Sequence, residues 1–545
     1  MHGFYRTGIG PCAFGDLSLR DPGGWYLIVD GAGVPARSKL STEICIVGAG
    51  AAGITLAQAL ADLKMDVIVL ESGGLEPEDR AQDLAHGETV HYPPLETTRM
   101  RMFGGSTMHW GGWCRPLEAT DFEHRPWVPH SGWPIDRSAV LPYYPRAQEI
   151  CQVGEFQYDP EEWNLPPGTL LPLGSDRVHS RIIQFSPPTR FGIRYRAPLT
   201  QSTRITVYLN TTATRLKLAP GGRRIDGIAA ATFGGNTFDI VAKRYILAGG
   251  GIDNPRLMLA SNDVAAAGVG NDNDLVGRFF ADHMQLDTAV LLPVDPKIDL
   301  RFYQLASRSV QRRLKSGGRG ANLMGYLTLD KQVQESRHTL NYSANLFELS
   351  ETDYATMRAA AEGPASGWDR LTRSISGLWH QISTANSTSE NTGSGFYKIV
   401  TTQEQAPNPA SRVRLSRDER DAFGVPRPLL EWRFTDLDRD TIEVALDELA
   451  KAFGANSLGR IQYSLDLRKN GWPANVPISW HHCGTTRMST DPKQGVVDPQ
   501  GRVHGLDNLY VAGSSVFPTN GHGNPTLTIV ALALRLAEHL GGTVT

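Results

Sequence analysis

The chain has 545 residues, of which 54 are Lys or Arg and 57 are Asp or Glu, so its formal net charge is −3. This length predicts two or more domain-sized units. The balanced charge, without a basic stripe or an arginine-rich tail, argues against a nucleic-acid partner and favours a small molecule. Neither a cleavable apolar leader nor a run of about eighteen apolar residues occurs, which predicts a cytoplasmic protein without a membrane span.

The cysteines are odd in number and scattered without Cys-x-x-Cys spacing. They are Cys12, Cys45, Cys114, Cys151 and Cys483. This pattern argues against a disulfide framework, a zinc site and an iron–sulfur cluster, and it fits a reducing compartment. We therefore predict no metal site.

A βαβ unit follows a Gly- and Pro-rich arm that spans residues 1–40. The apolar run Ile44–Val47 reads as a buried strand, Ala51–Leu63 as an alanine-rich helix, and Asp66–Leu70 as a second buried strand. Two such strands joined by a helix predict the start of a doubly wound domain.

Two later segments, Arg204–Leu218 and Phe238–Ala248, show β-branched alternation and are expected to return to the same sheet. Three glycines follow the second segment, and we expect a helix to restart at Asn254-Pro255.

The chain becomes mixed between about 285 and 475. It has a strand pattern at Arg412–Leu415, a helix pattern near Leu437–Phe453, and a polar stretch, Thr384–Gly395, that we expect to form a mobile loop. A substrate domain interleaved with the first domain would explain this mixture.

The turn between the first strand and helix carries Gly48, Gly50 and Gly53. The first glycine permits the turn, the second lets a pyrophosphate approach, and the third allows close helix–strand packing. Glu71 ends the next strand, where its carboxylate can accept both ribose hydroxyls of an adenosine. The turn therefore predicts a dinucleotide, without deciding between NAD and FAD; the alternative is a plain turn with Glu71 at a solvated strand end.

A second glycine-rich segment, Met102–Trp113, combines glycines, small hydroxyls and aromatics in a way that suits backbone wrapping around an isoalloxazine ring. Its candidate cofactor contacts are Gly104, Gly105, Ser106, His109 and Trp110. His109 is either a covalent attachment point for the flavin 8α-methyl group or a structural histidine. Tryptophans such as Trp110 and Trp113 more often belong to a core than to a cofactor site.

The C-terminal part places a short strand, Asn508–Ala512, before a glycine turn at Gly513. His481 comes before this strand and Asn524 after it, and we expect both side chains to aim at one point. A neutral imidazole suits withdrawal of an alcohol proton. His482 is the alternative base, but neighbouring side chains of an extended segment point to opposite faces, so only one of the two can face the flavin.

Asn524 and Pro525 also read as the N-cap and the first residue of an apolar helix. Capping alone would explain both residues. A helix N-terminus at Pro525 and Thr526 would in addition place a partial positive charge beside a reduced flavin.

Together these motifs resemble the glucose–methanol–choline (GMC) oxidoreductase family over about residues 41–545. Within it they are most similar to pyranose oxidases, glycoside 3-oxidases or 3-dehydrogenases, and bacterial fructose and glucose dehydrogenases. The segments that carry the resemblance are Gly48–Gly53 with Glu71, Gly104–Trp110, Pro407–Val413, His481–Met488 and Gly523–Thr528.

The resemblance implies an α/β and α+β fold, in which a Rossmann-like FAD-binding domain is interleaved with a mixed-sheet substrate-binding domain. The FAD-binding domain would comprise residues 41–130, 200–284 and 476–545, and the substrate-binding domain residues 131–199 and 285–475. His481, three residues before Gly484, would be the base and Asn524 its partner.

His109 matches the histidine that carries covalent FAD in fungal pyranose oxidases, which keep Thr-His-Trp-Thr there. Met108 and Gly111 depart from that pattern, so non-covalent FAD is the main expectation and a covalent link through His109 the alternative. The cysteine-rich cluster of the family's iron–sulfur-dependent dehydrogenases is absent. The expected electron acceptor is oxygen, a quinone or another soluble molecule.

These inferences predict FAD-dependent oxidation of a secondary hydroxyl of a sugar or glycoside to a ketone, with His481 as base. The alternatives are oxidation of a non-sugar alcohol and a lyase in which FAD is structural. Candidate sugar contacts are Gln403, Glu404 and the turn Pro188–Gly192.

Overall fold

A computed structural model describes residues 28–174, 176–304, 314–316, 319–362, 395–473 and 476–542. The predicted mobile loop lies outside these residues except for Gly395. The strands are β1 (Ile28–Asp30), β2 (Lys39–Val47), β3 (Val67–Leu70), β4 (Glu88–Val90), β5 (Trp113–Cys114), β6 (Val178–Phe185), β7 (Ile205–Leu209), β8 (Thr212–Leu218), β9 (Ile225–Ala231), β10 (Thr237–Leu247), β11 (Met284–Pro293), β12 (Leu314–Ser316), β13 (Arg319–Leu329), β14 (Tyr342–Glu348), β15 (Tyr397–Gln403), β16 (Arg412–Arg420), β17 (Pro426–Glu431), β18 (Gly459–Tyr463) and β19 (Leu509–Val511).

The α-helices alternate with these strands. They are α1 (Ala51–Asp62), α2 (Asp79–Asp83), α3 (Ala119–Phe122), α4 (Tyr144–Cys151), α5 (Phe191–Arg194), α6 (Arg196–Gln201), α7 (Gly250–Ala260), α8 (Lys331–Arg337), α9 (Glu351–Glu362), α10 (Asp436–Ala455), α11 (Leu467–Asn470) and α12 (Thr526–Gly542). In the parts of the chain that the structure describes, no helix has the length and apolar character needed to cross a bilayer.

The first sheet has the order β1-β7-β3-β2-β10-β9-β8, and β19 also pairs with β10. Neighbouring strands are parallel among β1, β7, β3, β2, β10 and β19. The pairs β10–β9 and β9–β8 are antiparallel. Parallel strands buried on both faces need apolar residues throughout, and all four residues of β3 are buried. The predicted βαβ unit is β2, α1 and β3, and the C-terminal helix α12 packs against α1.

The second sheet has the order β18-β11-β15-β14-β13-β6-β5, with β12 beside β13, and its neighbours are antiparallel. One face packs against α10: Leu286, Ala344 and Ile399 of the sheet share a core with Leu446 and Leu449 of the helix. A small third sheet joins β16, β17 and β4. The predicted fold class is confirmed, because a doubly wound sheet and a sheet covered by a helix are both present.

Each of the two large sheets is assembled from distant parts of the chain, as the interleaved arrangement predicts. The boundaries assigned to the two domains stay a prediction. The end of the N-terminal arm is more than a linker, because Ile28–Asp30 forms the edge strand beside β7.

The helix expected from Asn254 begins earlier, at Gly250, with Pro255 inside it. A proline within a helix removes the N–H that would bond the carbonyl four residues before it. Here the hydroxyl of Thr485 donates to that carbonyl, at Gly251, over 2.7 Å. The side-chain oxygen of Asn254 accepts the N–H of Gly249 at 2.7 Å, and this bond stabilises the first turn of the helix. The early start is therefore stabilised by a distant residue.

Candidate active site

The glycine turn between β2 and α1 has the geometry expected of a pyrophosphate site. Gly48 has φ +103°, which side chains rarely adopt, and a Cβ on Gly53 would lie 1.9 Å from the Gly48 carbonyl oxygen. A Cβ on Gly50, by contrast, would project into open space. Gly48 and Gly53 thus make the turn tight, and Gly50 keeps its outer side accessible.

Glu71 lies at the end of β3 and fixes this turn. One of its oxygens accepts the N–H of Ala49 at 2.9 Å and the other that of Gly73 at 3.0 Å. Burial raises the pKa of this carboxyl group, and the backbone hydrogen bonds oppose the shift. The oxygen bonded to Gly73 also accepts the Ser72 hydroxyl at 3.3 Å, so the oxygen bonded to Ala49 is the one that keeps a second lone pair for a ribose hydroxyl.

The second glycine-rich segment lies directly on the first. The N–H of Gly104 donates to the Ala49 carbonyl at 2.9 Å, and a Cβ on Gly105 would lie 3.1 Å from the Cα of Gly50. Gly104 and Gly105 have φ values of +99° and +53°. The two segments predicted to hold the cofactor therefore meet, whereas the Ser106 side chain is exposed at the surface.

His109 and Trp480 have parallel rings, with centroids 5.5 Å apart. Trp480 precedes the proposed base and has φ +61°, a strained conformation for a bulky residue. The indole of Trp110 points elsewhere, because its N–H donates to the Thr189 carbonyl at 2.8 Å. A cofactor contact by the Trp110 ring stays a prediction that this hydrogen bond does not favour.

Strand β19 ends at Val511, and the predicted glycine turn at Gly513 follows two residues later. This residue has φ +108° and open space where a Cβ would point. The next residue, Ser514, donates its hydroxyl to the His482 carbonyl at 2.7 Å and accepts the Gly484 N–H at 3.2 Å. The glycine turn is thereby joined to the segment that carries the histidines.

His481 and Asn524 come together although 43 residues separate them in the sequence. The Asn524 amide nitrogen lies 3.3 Å from Nε2 of His481, and both residues are partly exposed. The helix behind them starts at Thr526, and the Pro525 carbonyl accepts its first hydrogen bond, from Ile529. Asn524 therefore precedes the helix and faces His481, so the expectation that it serves as the N-cap is not met.

A second histidine, His283, fixes the tautomer of His481. Nε2 of His283 lies 2.8 Å from the Gly521 carbonyl oxygen and 3.3 Å from that of Asn520, so this nitrogen must carry the proton. Burial lowers the pKa of His283 to about 4, which keeps its ring neutral and leaves Nδ1 a lone pair. The 2.7 Å contact between the two Nδ1 atoms then requires the proton on His481.

It follows that Nε2 of His481 has a free lone pair, and this is the atom that faces Asn524. Burial lowers the pKa of His481 well below its ordinary value. The ring is therefore neutral at neutral pH, with Nε2 unprotonated. The geometry selects Nε2 as the basic atom.

Asp282 holds both histidines through the backbone. Its Oδ1 accepts the N–H of His481 at 2.8 Å and that of His283 at 2.7 Å, while Oδ2 accepts the Tyr92 hydroxyl at 2.5 Å. Burial raises the pKa of Asp282 to about 7, against the opposing effect of these donors. The two rings are thus positioned from one buried carboxyl group.

His482 points away from this site, as the alternation argument predicts. Its ring is buried between Tyr92 and Phe280, with centroids at 5.9 and 5.7 Å. Within the described part of the chain, its Nε2 has no hydrogen-bond partner. Burial lowers the pKa of His482 to about 3. Because its ring packs against aromatic side chains, we interpret His482 as a packing residue of the core.

Replacing His482 with leucine should stabilise the protein increasingly as the pH falls. In the wild type the folded state keeps His482 neutral, while the unfolded chain takes up a proton below about pH 6.5, so stability is lost from there downward. The gain in unfolding free energy of His482→Leu over wild type should grow by up to about 3 kcal/mol between pH 7 and pH 4. Denaturant unfolding at several pH values measures this, and a gain that does not change with pH would contradict it.

Gln403 and Glu404, which were suggested as sugar contacts, lie in the core at the end of β15. Gln403 is fully buried and donates to the Asp438 carbonyl at 2.8 Å. Glu404 is also buried and accepts both terminal nitrogens of Arg125, at 2.8 and 2.6 Å. Breaking such a pair costs about 3–5 kcal/mol, so these residues serve the core beside His283. In the turn Pro188–Gly192, Gly192 packs against Phe103 and Gly104 of the second glycine-rich segment.

The sequence analysis missed Asp282 and His283. They follow the apolar residues Phe279, Phe280 and Ala281 and precede Met284, at the start of β11. The signal that could have identified them is the pair of polar residues within an apolar run. Buried polar groups need a specific hydrogen-bond partner, so such a pair indicates a specific role.

The C-terminal part of the chain, residues 407–533, matches the model of a family described as GMC oxidoreductase. The large subunit of fructose dehydrogenase from Gluconobacter japonicus is 25% identical, over 92% of this chain and 98% of that protein. A C-glycoside 3-oxidase from Microbacterium trichothecenolyticum is 37% identical, over 25% of each chain.

Among solved structures, formate oxidase from Aspergillus oryzae, studied for modification of its FAD, superposes with a TM-score of 0.55 at 18% identity. The alignment covers 93% of this chain and 99% of that one. The fold is thus shared over nearly the whole length of both proteins.

Proposed function

Because the chain belongs to the GMC oxidoreductase family, whose members oxidise alcohol groups, we propose that it oxidises a secondary hydroxyl of a sugar or glycoside to a ketone with bound FAD. The observation that carries the proposal is the paired site, in which Nε2 of His481 is a free base 3.3 Å from the Asn524 amide. An alcohol bound between them would meet a proton acceptor and a hydrogen-bond donor together.

The residues present fit FAD. Gly48 and Gly53 make the first turn tight, Gly50 leaves its outer side accessible for a pyrophosphate, and one oxygen of Glu71 keeps a lone pair for the ribose. Gly104, Gly105, Gly513, Pro525 and Thr526 are the further contacts that we propose. When bound, FAD supplies the two-electron acceptor that receives hydride from the alcohol carbon. Non-covalent binding is the simpler proposal, with a link through His109 as the alternative.

The chain's own residues would carry out the proton step. Asn524 and His481 hold the substrate hydroxyl, and Nε2 of His481 withdraws its proton as the C–H bond is cleaved. The resulting imidazolium keeps its Nδ1–H on His283, so its orientation does not change during the step. Asp282 keeps the backbone of both histidines in place.

Two relatives favour a sugar over other alcohols. One of the relatives aligned over 92% of the chain is named a fructose dehydrogenase, and another, at 37% identity over a shorter stretch, is named a C-glycoside 3-oxidase. The electron acceptor, which we propose to be oxygen, a quinone or another soluble molecule, is a separate question. A lyase with structural FAD is the competing function.

Anaerobic titration of the holoenzyme tests this function. Monosaccharides, aryl and C-glycosides, and simple alcohols are added in turn while the oxidised-flavin absorption is followed. We expect a sugar or glycoside to bleach the band. Bleaching by non-sugar alcohols alone would refute the sugar assignment, and no bleaching by any compound, with a flavin that dithionite reduces, would favour the lyase.

A further inference from the structure

A cavity of about 410 Å³ lies against the second sheet. Its walls come from the segment 115–119, from Arg137 and the stretch 158–159, and from β6 and β13 of the second sheet. Tyr326 of β13 lies directly opposite Arg181 of β6 in the strand register, so both side chains are on the same face. This volume suits one sugar ring or a charged substituent of similar size.

Three guanidinium groups and two carboxylates line the cavity. The Arg115 guanidinium already has partners. It donates to Glu118 at 2.6 Å and contacts His522, and its central carbon lies 4.5 Å from the centre of the Tyr326 ring. Arg115 and Glu118 therefore neutralise each other. The other carboxylate, Asp159, is exposed and accepts the backbone N–H of Glu161.

The remaining two arginines have N–H groups to spare. Arg137 uses its Nε on the Leu117 carbonyl at 3.1 Å. Arg181 is partly buried, and among the residues that the structure describes its side chain has neither an ion pair nor a hydrogen bond, whereas its backbone pairs within the sheet. A guanidinium is a planar fork that matches a carboxylate or a phosphate with two parallel hydrogen bonds. The cavity thus carries more positive than negative side chains and presents guanidinium N–H groups of the kind that bind a carboxylate or a phosphate.

This cavity shares a wall with the candidate active site. A Cβ on Gly523 would lie 3.0 Å from Cγ of Arg115, and the rings of Tyr326 and His522 are 5.6 Å apart. Gly523 is the neighbour of Asn524 in the chain. The Arg115 side chain therefore both lines the cavity and lies next to the loop that would hold the reacting hydroxyl.

We propose that this cavity binds an anionic substituent, a carboxylate or a phosphate, of the sugar substrate, through Arg181 with help from Arg137. The inference rests on the proposed oxidation and specifies its substrate class as acidic sugars or glycosides.

The test compares methyl glycosides of glucose, galactose and mannose with the uronosides of the same configuration, in which C6 is a carboxylate. The holoenzyme should prefer the uronoside, measured as the ratio of the two kcat/KM values. Arg181→Gln should lower this ratio about tenfold, equivalent to about 1.4 kcal/mol, because charged hydrogen bonds to the carboxylate are lost. Arg137→Gln should lower it less. Arg223, whose side chain is 79% exposed and lies outside the cavity, provides the matched charge control, Arg223→Gln.

A second measurement does not depend on turnover. Inorganic phosphate should raise the Tm of the wild type more than that of Arg181→Gln, since a bound ligand stabilises the folded state. A uronoside preference that Arg181→Gln leaves intact would overturn the proposal. So would stabilisation by phosphate without any uronoside preference, because the cavity would then hold a free anion. If no glycoside bleaches the flavin, the proposed function fails instead, and the phosphate comparison still reports on the cavity.

Discussion

Replacing His481 with alanine is expected to lower kcat by about 10²- to 10⁴-fold while FAD stays bound. The reason is that Nε2 of His481 is the basic atom that faces the Asn524 amide, at 3.3 Å. Without it, the alcohol proton has no acceptor as hydride leaves. Steady-state kcat with the glycoside identified by titration, together with the flavin content of the purified variant, measures the effect.

The matched control is His482→Leu, which removes the neighbouring imidazole. Its ring is buried between Tyr92 and Phe280, so kcat should stay close to that of the wild type. Undiminished turnover in His481→Ala, with loss of turnover in His482→Leu, would show that the base is assigned one residue out of place.

Replacing His283 with leucine is expected to lower kcat by about 10²-fold, the second largest effect, although His283 does not reach the substrate. Leucine cannot accept the Nδ1–H of His481, so the imidazole is free to place its proton on either nitrogen and to rotate. Only the tautomer with a bare Nε2 is competent. His283 is therefore a positioning residue.

A rescue variant separates positioning from a general structural role. In His283→Asn, the side-chain oxygen takes a place close to that of the histidine Nδ1 and can still accept the hydrogen bond. We expect His283→Asn to recover most of the kcat lost in His283→Leu when the two variants have similar Tm values. Equal losses in both variants, or a wild-type kcat in His283→Leu, would contradict the tautomer argument.

The sequence predicted the parts of the fold and site that depend on local patterns. The buried strands and α1 follow from apolar periodicity, and the turn at Gly48–Gly53 follows from glycine spacing. His481 and Asn524 were identified from two motifs that point to one cofactor, and the structure brings them within 3.3 Å. Their catalytic roles stay a prediction until the variants are measured.

Contacts between distant segments could not be predicted in this way. His283 meets His481 only because the residues before β11 lie beside segment 478–481 and the loop at 520–521. The early start of α7 depends on the Thr485 hydroxyl, which replaces the N–H that Pro255 lacks. No local propensity encodes either contact, since both require the tertiary fold.

The predictions that rested on residue type alone agree least with the structure. Gln403 and Glu404 are polar and follow a predicted strand, but strand alternation and a buried arginine partner direct them into the core. The sequence did not identify Arg181 as a binding residue, because a single arginine in a strand usually faces solvent. Its lack of a partner within the described residues becomes visible only when the neighbouring strands are in place.

The most direct test of the account is an anaerobic single turnover of the holoenzyme with a glycoside that it converts. The account predicts that the oxidised-flavin band disappears and that one equivalent of keto-glycoside forms for each bound FAD. Conversion of the glycoside with an unchanged flavin band would contradict it, because the flavin would then be structural and the pair His481–Asn524 would serve a different reaction.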